Sequence, residues 1–390
     1  MAVVRDLAAT VGALLVIAAG WSVIGTVVVP RRIRSWLTRM VARSVNAAFH
    51  FVADGFDSYE PRDRILAAQA PIQLILQIVA WLAVFELGFS LLLWPSMNSG
   101  GLAGAFELGA SSLCTLGYLA PRHAGSMGLS DLASLVGLGT VALQIGYLPT
   151  LYGAFSRREA LVTMLDSRAG VPSWGPELLA RTHYGLGTGV SAIGRLPELF
   201  EDWERWSADV SESHATYLAL INFRSPRALS SWLTAQLAVL DAAALYLSLL
   251  PDASGAVSAR LCLRGGFSCL GNIARARGFA IPEEADPSEG IALTYEEFVD
   301  AIERLASVDF PLERSNEEAW RDFVGWRVNY EAAANAIARA IDAPPALWSG
   351  PRRHSIPAIP PMRPPTRRAD KPPLSSPDKK GESTPVSDET

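Results

Sequence analysis

From Ala8 to Val29 the chain carries no ionisable side chain. Roughly 22 helical residues at about 1.5 Å each cross the roughly 30 Å hydrocarbon core of a bilayer. A cleaved signal peptide is the competing reading of an apolar N-terminal run. Its leading region should be basic and its apolar part about 7–15 residues long, whereas here Arg5 is offset by Asp6 and the run is longer. Arg31, Arg32 and Arg34 follow at once, as at the cytoplasmic end of a membrane helix. Two further segments have this length and apolarity. Ile72 to Trp94 is charged only at Glu86, and Leu132 to Phe155 is apolar apart from Gln144 and a few hydroxyls, closed by Arg157 and Arg158. The pattern predicts three spanning helices.

Orientation follows from the arginines, because short cytoplasmic loops carry an excess of positive charge. Arg31, Arg32, Arg34, Arg39, Arg43, Arg62 and Arg64 lie between the first two helices, and only Arg122 lies between the second and third. The first stretch and everything after Phe155 are therefore expected in the cytoplasm, with residues 95–130 and the N-terminus outside. This is the layout of a multi-pass protein of the cell membrane, with the lipid bilayer as its first partner. Between Arg31 and Val52, Ile33, Trp36, Leu37, Met40, Val41, Val45, Ala48, Phe49 and Val52 recur at helical spacing with arginines on the other side. Such a helix suits the inner membrane interface, or packs on the protein's own cytoplasmic part.

Residues 95–130 start and end on the outer side, yet Gly101 to Tyr118 is largely apolar. Ala103 to Leu113 can form about three helical turns, too short to span, and irregular backbone must follow at Thr115–Ala120. Non-helical backbone at membrane depth is tolerated only where it is buried in protein or lines a water-filled path. An outer helix, a short re-entrant helix, the stretch Thr115-Leu116-Gly117-Tyr118 and an inner helix together resemble the pore module of potassium channels, over about residues 70–156. The resemblance implies a homotetramer, in which four chains present backbone carbonyls that replace the hydration shell of a permeant potassium ion. Carried over, Thr115 offers its hydroxyl and carbonyl, and Leu116, Gly117 and Tyr118 their carbonyls. Gly117 is expected at positive φ, and the end of the re-entrant helix near Leu113 turns its partial negative charge toward a cation. The family's closing glycine is Leu119 here, and the acidic residue that usually follows is Ala120. Leucine resists left-handed backbone by about 1–2 kcal/mol, which leaves the shape of the outer filter and strict potassium selectivity open.

Glu86 lies about 12 Å into the membrane, eight residues before Trp94. An intramembrane carboxylate is a functional candidate by default; alternatively it hydrogen-bonds the re-entrant helix, with Ser111 and Ser112 as its nearest candidates, and braces the filter. Glu107 attracts cations or merely hydrates the re-entrant helix. In the third helix Gly137, Gly139 and Gly146 remove bulk and Pro149 cannot donate a hydrogen bond. The inner helices of the resembled family bend at a glycine here, which makes Gly139 and Pro149 the candidate gating hinge, while close helix packing explains the same small residues.

After Arg158 the chain reads as an all-helical cytoplasmic domain, with helical patterns over 159–168, 176–183, 197–214, 229–250, 256–277, 295–307 and 316–342. Leu233 to Leu250 is apolar enough to be mistaken for a fourth span, but Asp241 sits in its middle and a crossing would place Arg260, Arg264, Arg275 and Arg277 outside. No catalytic constellation stands out, and the chain reads as a non-enzyme without a cofactor. Asp209, Glu212 and His214 in DVSESH point in different directions on a helix. The stretch GLGTGVSAIG (185–194) lacks the Lys-Ser/Thr of a phosphate loop. Trp203 and Trp206 read as core or interface. Cys114, Cys262 and Cys269 match no common zinc spacing and read as buried thiols. From Ala343 onward nearly half of the 26 prolines mix with Ser, Lys and Arg, which predicts a disordered tail. The net charge of −5 speaks against nucleic acid as a partner.

The expected organisation is a membrane helix at 1–30, an interfacial helix and linker at 31–69, a pore module at 70–156, a helical cytoplasmic domain at 157–342 with an unidentified ligand or protein partner, and a tail at 343–390. The expected function is a potassium-channel-like cation channel. The alternative is a non-conducting membrane sensor or scaffold that keeps a vestigial pore loop.

Overall fold

The computed structural model describes residues 2–29, 35–97, 101–185, 193–282, 290–353 and 356–362. Arg31, Arg32 and Arg34, most of the glycine-rich stretch at 185–194 and the tail from 363 lie outside the described residues. Among the described residues the chain is all helix, with two isolated β-bridges and no strand. The elements are α1 (Ala2–Val27), α2 (Trp36–Ala53), α3 (Tyr59–Ala67), α4 (Gln69–Leu93), a 3-10 turn (Trp94–Ser96), α5 (Gly101–Leu113), α6 (Ala124–Ala169), α7 (Gly175–Gly185), α8 (Leu196–Thr216), a 3-10 turn (Leu218–Asn222), α9 (Trp232–Leu249), α10 (Ala256–Arg277), α11 (Tyr295–Ala306) and α12 (Asn316–Ile341).

Four helical stretches are long and apolar enough to cross a membrane. In those containing α1, α4 and α6 only 22%, 33% and 28% of the most apolar window is buried within the protein, whereas the α9 window is buried completely. Apolar helices left this bare need an apolar solvent. The chain is a multi-pass membrane protein. At 46 residues, α6 is about 69 Å long, more than twice the hydrocarbon core. It joins the expected inner helix and the expected 159–168 helix into one rod that runs on into the C-terminal domain.

α1 and α4 cross at two glycines. A Cβ on Gly12 would stand 2.5 Å from the Gly88 carbonyl oxygen, and one on Gly88 would stand 2.8 Å from Val16 Cγ2. Backbone approach of this kind is how membrane helices gain dispersion contact. A polar seam adds to it: Trp81 Nε1 donates to Ser22 Oγ at 2.9 Å, Ser22 and Ser35 hydroxyls meet at 2.6 Å, and Thr26 and Thr38 at 3.1 Å. These bonds fix the start of α2 against α1. One face of α2 (Leu37, Val41, Val45) is buried while Trp36, Met40, Phe51 and Val52 remain exposed.

In the C-terminal domain α9 is the central rod, with every residue buried. Asp241 is tolerated in its middle because α12 brings partners to it. Arg327 Nη1 and Tyr330 OH each donate to its Oδ1 at 2.7 Å, and Arg327 Nε also donates to Glu331 Oε1 at 2.9 Å. A second buried network ties α6 to the domain. The fully buried Arg158 donates to the Leu220 and Phe223 carbonyls at 2.9 and 2.7 Å, and its Nη1 meets His214 Nε2 at 2.9 Å. Arginine can only donate, so His214 accepts as a neutral imidazole. Burial first, and then the Arg158 charge, hold its pKa well below the ordinary value.

His214 therefore makes stability depend on pH. The unfolded chain takes up a proton near pH 6.5 and the folded one does not, so this contribution is present above pH 6.5 and lost as pH falls. Between pH 6.5 and 5.5 the loss should be about 1 kcal/mol. His214→Gln should flatten that part of the profile, measured as unfolding midpoints of the detergent-solubilised protein.

Two expectations are corrected here. The segment from Ala343 is not a free tail over its described part. Trp348 is 7% exposed and packs edge-on to Trp174 at 5.8 Å, Arg352 donates to the Ala343 and Pro344 carbonyls, and Met362 bridges Val171. Indole and guanidinium anchors outweigh the prolines, whose missing N–H groups cost nothing in an extended strap. Secondly, Cys114 is exposed rather than buried, while Cys262 and Cys269 lie in the core, where burial pushes both thiols up. The DVSESH residues do not converge: Asp209 pairs with Arg157 at 3.0 Å, Glu212 is exposed and His214 is internal. Among the described residues no group of His, Cys, Asp and Glu is arranged to hold a metal ion.

Candidate functional site

α5 fills the space between α4 and α6. Its Ala105 and Leu108 pack with Leu93, and Leu113 joins Phe85, Phe89 and Ala133. Two glycines permit the approach. A Cβ on Gly109 would lie 2.9 Å from Glu86 Oε1 and 2.8 Å from Ser90 Oγ, and a Cβ on Gly137 would lie 2.0 Å from the Leu113 carbonyl oxygen. Ser134 Oγ donates to the Ser112 carbonyl at 2.8 Å, a second tie between α5 and α6.

The chain leaves α5 through a tight reversal. Thr115 takes φ +55° and Gly117 φ +68°. The N–H groups of Leu116 and Gly117 both donate to the Ser111 carbonyl, at 2.9 and 3.2 Å, and Leu119 N–H donates to Ser111 Oγ at 3.1 Å. Tyr118 folds back over α5, its hydroxyl donating to the Glu107 carbonyl at 3.1 Å. In a trans peptide the carbonyl of one residue points opposite to the N–H of the next. The Thr115, Leu116 and Tyr118 carbonyls are therefore turned away from α5. A Cβ on Gly117 would meet nothing within 4 Å, and Leu116 and Tyr118 are exposed.

Glu86, Ser111, Ser112 and Thr115 to Leu119 thus gather in one place, with three corrections. Glu86 bonds neither Ser111 nor Ser112. Its Oε1 accepts from Ser90 Oγ at 3.0 Å, one turn on in α4, and the carboxylate lies against the α5 backbone at Gly109 and Ala110. Ser111 and Ser112 instead bind the loop and α6. Leu119 is not in the left-handed region, which among non-glycine residues of the loop is taken by Thr115, so Leu119→Gly has no strain to relieve. Gly139, expected as the hinge, faces open space and α6 continues through it and through Pro149. Gly137 is the glycine that packing requires. Against it the Leu113 carbonyl is seated on α6 rather than left free at the helix end.

Sequence reasoning singled out Gly117 from its motif and offered close packing for Gly137, Gly139 and Gly146 alike, without telling Gly137 apart, and it missed Gly109. The role of Gly137 and Gly109 rests on which neighbour approaches, and nothing local marks it. Comparison of the chain with known protein families, characterised proteins and solved structures finds no match.

Proposed function

We propose that the protein is a tetrameric, potassium-channel-like cation channel of the cell membrane, with the 115–118 loop as its filter, residues 95–130 outside and the C-terminal domain in the cytoplasm. The observation that carries this reading is the direction of the loop's peptide groups. The N–H groups of Leu116, Gly117 and Leu119 are spent on Ser111, which turns the Thr115, Leu116 and Tyr118 carbonyls away from α5; carbonyls presented this way supply the chemistry that replaces an ion's hydration shell when four copies form a ring. The Leu116 bond to Ser111 and the Thr115 bond to Ser112 suffice to cap α5; the Leu119 bond to Ser111 Oγ goes beyond a cap and turns the Tyr118–Leu119 peptide in the same sense. Glu86, Ser111 and Ser112 support the loop from α4 and α5.

The test is potassium- and sodium-driven flux in liposomes containing the purified protein. Gly117→Ala places a Cβ on a left-handed backbone in each of four copies, a cost of about 1–2 kcal/mol per copy, and flux should fall to background while the tetramer survives. Parental flux that persists in this variant rules out passage through the loop. A tetramer that passes no cation under any gradient would favour the sensor or scaffold.

A further inference from the structure

A cavity of about 480 Å³ opens between α1, α2, α4 and α6 and the C-terminal end of α10. It lies at the arginine-rich ends of the spans, away from the filter loop. Along α2 the residues facing it, Ser35, Arg39, Arg43 and Asn46, form one helical stripe. Among the described residues, Arg277 joins Arg39 and Arg43 in the lining, and no Asp or Glu does. Opposite them the lining holds the side-chain amides of Gln73, Gln77 and Gln144.

Gln77 is 5% exposed, and both its Nε2 and its Oε1 are buried without a hydrogen-bond partner. Leaving an amide unpaired in an apolar helix costs free energy that leucine would avoid, and α4 has apolar residues at most other positions. An amide supplies a donor and an acceptor to a hydroxyl, and arginines pair with phosphate. Residues beside the cavity lining in sequence, Ile24 of α1, Val28 just after it, and Ile72, Ile75 and Leu76 of α4, are exposed and apolar, as acyl chains require.

We propose that this cavity binds the headgroup of an anionic, hydroxyl-bearing phospholipid, with Arg39 and Arg43 on the phosphate, Gln77 on the headgroup hydroxyls and the acyl chains along α1 and α4. The site rests on α1, α4 and α6 spanning the membrane, and it does not depend on ion conduction. Binding there would join α2 to the spans and to the end of α10, and so would couple lipid composition to the junction of membrane and domain.

The full chain in neutral detergent is titrated with phosphatidylglycerol, phosphatidylcholine, sn-glycerol 3-phosphate and inorganic phosphate. Bound lipid is counted by native mass spectrometry and unfolding midpoints are followed in parallel. Phosphatidylglycerol should be retained roughly tenfold or more over phosphatidylcholine and should raise the midpoint. Arg39→Ala/Arg43→Ala should remove that preference, and Arg39→Lys/Arg43→Lys should keep most of it. Gln77→Leu should lose the lipid-dependent rise while its lipid-free midpoint is unchanged or higher, an outcome that a purely structural glutamine would not give. Equal retention of the two lipids, or an undiminished preference in both the double alanine variant and Gln77→Leu, overturns the proposal. Stabilisation by glycerol phosphate or phosphate equal to that by phosphatidylglycerol also overturns the lipid assignment, in favour of a soluble phosphate ligand.

Discussion

Arg327→Met should lower the stability of the C-terminal domain by about 3–5 kcal/mol, the usual cost of leaving the partners of a buried ion pair uncompensated. Arg327 is 1% exposed and serves Asp241, Glu331 and the Trp348 carbonyl at once, with its guanidinium over the Phe323 and Trp348 rings at 6.0 and 5.8 Å. Methionine keeps much of the stem's packing but none of the five donors. Burial already pushes the Asp241 carboxyl up against the opposing pull of Arg327. Without the arginine its folded pKa rises further above the unfolded value, so the variant gains from protonation at low pH and loses that gain as pH rises. The deficit relative to the parent should therefore shrink on acidification. Adding Asp241→Leu should recover part of the loss, since neighbours in one network are not additive. The measurement is chemical unfolding of the solubilised full chain followed by tryptophan fluorescence. A variant as stable as the parent at neutral pH would show that Asp241 does not depend on this pair.

The second large effect is expected at Gly137. A Cβ there would stand 2.0 Å from the Leu113 carbonyl, a backbone atom that no rotamer change can move. Gly137→Val should push α5 off α6, break the Ser134 to Ser112 bond and cost 2–3 kcal/mol or more, by the scale of overpacked cores (about 1–3 kcal/mol). Because Ser111, one residue before Ser112, holds the loop N–H groups, cation flux should fall with it. Gly139→Ala meets no neighbour and should be neutral, or slightly stabilising through helix propensity, by at most about 1 kcal/mol. Unfolding midpoints and flux for the two variants separate packing from hinge. A tolerated Gly137→Val beside a damaging Gly139→Ala would restore the hinge at Gly139.

Much of this architecture was legible along the chain because one-dimensional patterns cause it. An apolar run long enough to cross a bilayer has few other homes, so Ala8–Val29, Ile72–Trp94 and Leu132–Phe155 fall within α1, α4 and α6 apart from short overhangs at the first two ends. The helical patterns at 197–214, 256–277, 295–307 and 316–342 match α8, α10, α11 and α12 to within two residues, and the last two are capped by Thr294 and Ser315, whose hydroxyls accept from the N–H groups of Glu297 and Glu318. Gly117 was readable too, since only its own backbone conformation is involved.

Tertiary structure decided whatever depends on a distant partner. Asp241 speaks against a fourth span in the sequence, but how a carboxylate is tolerated inside the core is decided by Arg327, which reaches it from 86 positions away. Glu86 takes Ser90 and the α5 backbone rather than Ser111 or Ser112, because Gly109, without a side chain, lets that backbone come up to the carboxylate. Gly137 outranks Gly139 because the Leu113 carbonyl abuts one and not the other. The proline-rich segment is held because Trp348 and Arg352 find a ring and carbonyls brought there by other helices. Sequence fixes the period and polarity of each helix, which are local properties. Which side chain meets which is set by how the rods pack, and that is a property of the whole chain.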